Sequence, residues 1–251
     1  MSAAGGVTAI LSALAEEQQG LAGGLHNPVC TRHAGRDYWS GLLYGKPVVL
    51  ALSRIGKVAA ATTAAALIEK FGVARVVFTG VAGGVGPGVC VGDVVLGSAF
   101  IQHDMDASPL FPRFEIPLYG QTCFPGDTAL TALLLQASQA AMSRIGPNPL
   151  VPGQPVVHMG LIASGDRFVS GADEVERLVA ALQANGHQPL AVEMEGAAVA
   201  QVCADYGVPF AAVRTISDRA DDTAHVDFPR FIADVASVYA RDIMTEFLQA
   251  L

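Results

Sequence analysis

Residues Leu190–Asp218 read LAVEMEGAAVAQVCADYGVPFAAVRTISD, and their pattern decides the fold. Leu190–Val192 is a short apolar run, Glu195–Tyr206 places small and apolar residues at helical spacing, and Val208–Ile216 is a second apolar run ending in polar residues. The pattern predicts strand, helix, strand. Glu193 and Glu195 stand where the first strand gives way to the helix, and Arg214, Ser217 and Asp218 stand at or just past the end of the second. In an open α/β sheet those strand ends line the ligand crevice.

An acid in the first turn of a helix complements the helix dipole and often does nothing else. For Glu195 alone that reading suffices. A second carboxylate two residues earlier, across Met194, shifts the balance toward a site, because charged groups beside a buried strand are costly unless a partner or ligand engages them.

The whole chain bounds what that site serves. Its 251 residues are 51% apolar and 15% charged, which predicts one domain over residues 1–251 with a large core. A net charge of −8 and the lack of any Lys/Arg-rich run argue against nucleic acid or an anionic membrane as the main partner, and for a small molecule. Cys30, Cys90, Cys123 and Cys203 show no C-x-x-C spacing and read as reduced, mostly buried thiols. The N-terminal residues lack a basic region and reach Glu16 and Glu17 before any membrane-length apolar run, so the expected location is the cytoplasm.

Working outward, Val7–Leu14 reads as a strand and Ala15–Leu25 as a helix bearing Glu17, a first-turn acid that alone needs no function. Cys30–Ala34, Asp37–Tyr44 and Lys46–Ser53, broken at Gly35 and Gly45, predict an antiparallel meander. SRIGKV then bends into a helix over Lys57–Phe71; Arg54 in that bend is either a surface charge or an anion contact. Arg75–Val81 predicts a strand leading to a glycine turn, GVAGGVGPG, whose backbone near Ala82 and Gly83 is free to approach a ligand. Neither G-K-[ST] nor G-x-G-x-x-G is present there.

Gly92–Ile101 predicts a strand, and His103, Asp104 and Asp106 after it read as loop polarity, not as a metal site. The Pro- and aromatic-rich stretch from Ala107 to Gly126 reads as a binding loop or subunit contact. Thr128–Met142 and Asp173–Ala184 predict helices around the strand Val156–Ser164, which ends in SGDRFVSG; Phe168 and Val169 there either face a planar base or belong to the core. RADDTAHVDF reads as polar loop and Pro229–Ala250 as one terminal helix.

Taken together, the acids after strand one, SRIGKV, FTGVAGG, SGDRF, VEMEGAA and VRTISD resemble the purine nucleoside phosphorylase and nucleosidase superfamily, and most closely its 5′-methylthioadenosine/S-adenosylhomocysteine nucleosidases. The resemblance implies a single three-layer α/β/α domain with a mixed, twisted central sheet, usually a homodimer, that cleaves the N-glycosidic bond of adenine nucleosides with water and without metal or cofactor. It implies that Asp218 protonates adenine N7, Glu195 accepts hydrogen bonds from the ribose hydroxyls, and Glu17 activates water. Met194 is implied to pack on the sugar, Glu193 and Arg214 to flank the water site, Phe168 and the Val169 backbone to meet adenine, and Ile55 and Phe228 to surround the 5′ group. The segment near Met105 to Phe114 is implied to close that pocket from a partner subunit.

Acids after strand one, and Phe78 where phosphorylases carry an arginine, disfavour phosphate. Two departures from the resembled pattern stand out: Arg54 replaces a small glycine, and Val81 replaces a hydroxyl residue near the water. The alternatives are a phosphate-dependent purine nucleoside phosphorylase, with Arg54 as an anion ligand, and a non-catalytic nucleoside-binding or storage protein.

Overall fold

A computed structural model describes residues 5–219 and 228–251. In chain order it contains β1 (Thr8–Ser12), α1 (Ala15–Ala22), and the meander β2 (His26–His33), β3 (Arg36–Leu43) and β4 (Lys46–Leu52). Then come α2 (Lys57–Phe71), β5 (Arg75–Gly84), β6 (Val94–Gln102), β7 (Cys123–Pro125), α3 (Thr128–Met142), β8 (Val157–Ser164) and α4 (Ala172–Gln183). The decisive stretch supplies β9 (Pro189–Glu193), α5 (Gly196–Tyr206) and β10 (Phe210–Asp218); α6 (Phe228–Phe231), a π turn (Ile232–Ala236) and α7 (Ser237–Ala250) end the chain.

The strands form one mixed sheet. β1 pairs in parallel with β4 and β5, while β10 pairs in parallel with β5 and antiparallel with β6. β6, β8 and β9 run parallel, and β9 returns to pair antiparallel with the end of β5 at Gly83 and Gly84. Five strands, β5–β10–β6–β8–β9, therefore close a ring, and β1–β4–β3–β2 extends from it as an open sheet. Apolar residues of α2 and α5 cover one face and those of α3 and α7 the other, giving the three layers that the resemblance implies.

The meander and the helix over Lys57–Phe71 appear as the sequence predicts, and four differences have local causes. β5 does not stop at Val81: its last residues are bonded to β10 and then to β9, so Gly80, Gly83 and Gly84 lie within the strand and the turn falls later, at residues 86–88, where the Val89 N–H donates to the Gly86 carbonyl. A β-carbon at Gly84 would lie 3.0 Å from the Ile216 side chain, which explains the glycine. β10 likewise runs through Asp218, so Arg214 lies inside the strand, opposite Gly80, instead of near its end. The terminal helix runs without a break but is not uniformly α; its π turn precedes the crossing with α1, where a β-carbon on Gly20 would lie 2.8 Å from the Ser237 carbonyl. The cysteines are not mostly buried, because Cys30 lies on the outermost strand and Cys90 in a surface loop; only Cys203 is fully buried. The predicted polar loop lies outside the described residues except for its ends, Arg219 and Phe228. Among the described residues, no helix is long and apolar enough to cross a membrane.

Candidate active site

A cavity of about 190 Å³ opens at the carboxyl ends of β1, β5, β9 and β10. Every candidate residue except Arg214 and Arg54 lines it: Glu17 from α1, Ile55 before α2, Ala82 and Gly83 from β5, and Phe168 and Val169 after β8. Glu193, Met194 and Glu195 come from the β9–α5 junction, Ser217 and Asp218 from β10, and Phe228 from α6. Leu14 and Arg167 also line it; Arg167 is part of the SGDRF motif itself, and Leu14 closes the apolar run before the acids.

The two acids around Met194 do different things. Glu193 takes the helix-end role: its oxygens accept from the backbone N–H of Glu195 at 3.2 Å and of Gly196 at 2.9 Å, and Arg214 Nη2 donates to it at 2.6 Å. Ser164 Oγ also donates to Glu193 and accepts from the Ala197 N–H at 2.8 Å, so this serine ties β8 to α5. Ser164 was not among the candidates, although it is both the last residue of an apolar strand and the first of SGDRF. Glu195 is the residue from which α5 starts, yet its side chain does not cap the helix; it turns to the Gly56 N–H at 2.8 Å. Gly56 has φ +97°, a conformation glycine adopts without strain.

Glu17 is buried on the β5 side of the cavity, near Arg214. It accepts from the backbone N–H groups of Ala13 and Leu14, each at 2.9 Å, and of Val81 at 3.1 Å. Burial raises its carboxyl above the usual range, against those donors and the nearby Arg214 charge. Burial also pushes Glu195 up to about 8, with the adjacent Glu193 charge adding to the effect. Arg214 is fully buried, lies 4.0 Å over the Phe78 ring, and is paired with Glu193. A β-carbon at Gly80 would stand 3.0 Å from Glu17 Oε1 and 3.1 Å from Arg214 Nη1, so the glycine keeps open the space between acid and guanidinium.

At the other end Asp218 is buried, with Ser217 Oγ donating to it at 2.7 Å. Phe168 and Phe228 meet edge to face there, 6.3 Å between centroids. The loop carrying Phe168 is pinned at Asp166, whose carboxylate accepts from the Lys57 N–H at 2.7 Å and whose own N–H donates to Asp104 at 2.9 Å. Asp104 also pairs with the Lys57 ammonium, so its loop polarity has a positioning use. Among the described residues no cluster of three or more His, Cys, Asp or Glu is placed to hold a metal. Arg54 stands apart: its guanidinium donates to the Gly35 carbonyl at 2.6 Å and faces a neighbouring groove.

The arrangement thus combines a buried carboxyl facing an aromatic slot, acids of raised pKa, and a cation already neutralised by one of them. Residues 8–249 match the phosphorylase superfamily. The chain is 35% identical over 242 residues, 96% of its own length and 98% of the relative's, to 5′-methylthioadenosine/S-adenosylhomocysteine nucleosidase of Shewanella frigidimarina. The structure of the nucleosidase of that name from Neisseria meningitidis, in complex with methylthio-immucillin-A, superposes with a TM-score of 0.86 at 33% identity, covering 98% of this chain and 99% of that one. Futalosine hydrolase of Helicobacter pylori superposes with a TM-score of 0.85 at 31% identity over the full length of both. The chain belongs to the 5′-methylthioadenosine/S-adenosylhomocysteine nucleosidase family of the phosphorylase superfamily.

Proposed function

We propose that this protein hydrolyses the N-glycosidic bond of 5′-methylthioadenosine and S-adenosylhomocysteine, releasing adenine and a 5-thio-substituted ribose. The observation that carries the choice of water over phosphate is the charge balance at the sugar end. Glu17, Glu193 and Glu195 converge there, and Arg214 is already paired with Glu193. Arg167, the other arginine lining the cavity, pairs with Glu174 at 2.7 Å. A phosphate entering this wall meets three carboxyl groups and only arginines that are already ion-paired.

In the proposed reaction, adenine lies between Phe168 and the Asp218 carboxyl, with the Val169 backbone along its edge, and Met194 packs against the sugar. Ala82 and Gly83 form the backbone floor. Asp218, held by Ser217, gives its proton to N7 as the bond to C1′ breaks, so the base leaves neutral. Glu195 accepts from the ribose hydroxyls as the carboxylate; burial alone holds its proton, and the growing positive charge on the sugar favours the proton's loss to solvent. Glu17, made more basic by burial, takes a proton from water as the hydroxyl adds to C1′. Product release returns the proton balance through solvent. Ile55 and Phe228 hold the 5′ group. Val81 offers only its backbone at the water site, where Glu17 holds the Val81 N–H.

The wider reading is one domain over residues 1–251, acting in the cytoplasm as a homodimer. A single sheet threading the described residues supports the first part. Exposed apolar side chains at Ile55 before α2, Val58 on α2, and Leu110 and Leu118 in the segment before β7 support a partner subunit; light scattering tests it. The test of the reaction is adenine release from methylthioadenosine and S-adenosylhomocysteine with and without phosphate. Phosphate-independent release is expected. Strict dependence on phosphate, with ribose 1-phosphate as product, establishes the phosphorylase instead; binding without release from any nucleoside establishes the storage protein.

A further inference from the structure

A groove of about 810 Å³ lies between α1 and the β2–β3 hairpin, beside the nucleoside cavity, and Ala13 lines both. Two consecutive residues divide between them: Ile55 faces the cavity and Arg54 faces the groove. Ile55, set at the 5′ group in the proposed reaction, is thus followed directly in space by a residue of the groove's lining.

The groove differs from the rest of the molecule in charge. Its lining has three arginines, Arg32, Arg36 and Arg54, against two acids, Glu16 and Asp37, in a chain of net charge −8. Arg32 is engaged by Asp37 at 3.2 Å, and Arg36 donates to the carbonyls of Ala34 and Ala59, each at 3.1 Å. Arg54 is held only by the Gly35 carbonyl and has no carboxylate partner among the described residues. Its backbone sits at φ +65°, where glycine is at ease and a residue with a β-carbon is strained. An arginine kept in a strained conformation at the rim of a site, with its charge unpaired, is the pattern expected of a ligand contact.

Building on the nucleosidase reading above, we propose that Arg54 is a specificity residue: the groove receives the 5′ arm of the nucleoside, and the Arg54 guanidinium pairs with a carboxylate on that arm. The substrate class is an adenine nucleoside carrying a carboxylate at the end of a flexible, largely apolar 5′ chain. Trp39 and Leu52 line the groove and give the methylenes of such a chain a surface. The planar donor set of arginine matches a carboxylate through two parallel hydrogen bonds.

S-adenosylhomocysteine has such an arm and methylthioadenosine does not. The test compares kcat/KM for the two in the wild type, Arg54→Gln and Arg54→Lys, at low and high salt. In Arg54→Gln we expect S-adenosylhomocysteine to lose about five- to tenfold and methylthioadenosine to stay within twofold, because an exposed charge pair contributes no more than roughly tenfold. Arg54→Lys retains part of the preference, and salt narrows it in the wild type only where the charge is present. An unchanged ratio between the substrates overturns the proposal and leaves the nucleosidase reading intact. An equal loss on both substrates also overturns it, making Arg54 a latch for the hairpin. A wild type that releases adenine from neither overturns the nucleosidase reading and this inference with it.

Discussion

The closed ring and the open meander belong to one sheet, yet they treat charge in opposite ways. In the ring, Arg214 and Glu193 meet at 2.6 Å with side chains 2% and 3% exposed. On the meander, Arg32 and Asp37 meet at 3.2 Å with side chains 72% and 47% exposed. The first pair is surrounded by further donors and by the Phe78 ring, so each charge depends on the other to stay inside the protein. The second is bathed in solvent and screened. Chemistry that needs perturbed acids belongs in the ring; adjustable recognition belongs on the meander.

The sharpest way to break this contrast is Asp218→Asn. It removes the proposed proton donor while leaving the shape of the ring cavity, so adenine release is expected to fall by about 10²–10⁴ with adenine binding kept within roughly tenfold. Unchanged turnover removes Asp218 from the mechanism. Next is Glu193→Gln, which leaves the Arg214 charge buried without its partner. Urea unfolding is expected to show a loss of about 3–5 kcal/mol; a variant as stable as the parent disproves the dependence of one charge on the other.

A third measurement follows from Glu195. Its carboxyl goes from a reference value of 4.5 to about 8 in the fold, so the native state holds the proton more tightly than the unfolded chain. Its stabilising contribution is complete below 4.5 and is lost as pH rises through about 8. The urea midpoint should therefore fall across that window less in Glu195→Gln than in the wild type; parallel profiles contradict the assignment. The smallest effect belongs to the meander: Arg32→Ala is expected to change stability by no more than about 1 kcal/mol, which thermal melting checks.

The acids, the SGDRF loop and the strand–helix–strand around VEMEGAA were legible in the sequence because each is a local pattern, a run or a spacing that one element carries by itself. The division of labour between Glu193 and Glu195 was not. Two acids at one strand end look alike until Ser164 and Arg214 arrive from other strands to claim the first, and Gly56 the second. The first glycines of that stretch read as part of the turn because the sequence does not display the two strands that keep them in β5. Arg54 drew notice as a departure from the resembled pattern; its direction depends on Gly35, 19 residues away.

Because the ring has no edge, the sheet presents its long unpaired side at β2, the outermost strand. An unpaired strand invites another chain to add to it, and such addition is a route to aggregation. Here Pro28 has no N–H to offer, Asn27 sits at φ +51° where the register shifts between His26 and Val29, and Arg32 places a charge further along. The strand that frames the groove is thereby made a poor template for its own kind, so the surface stays open to small molecules without exposing the protein to runaway strand addition.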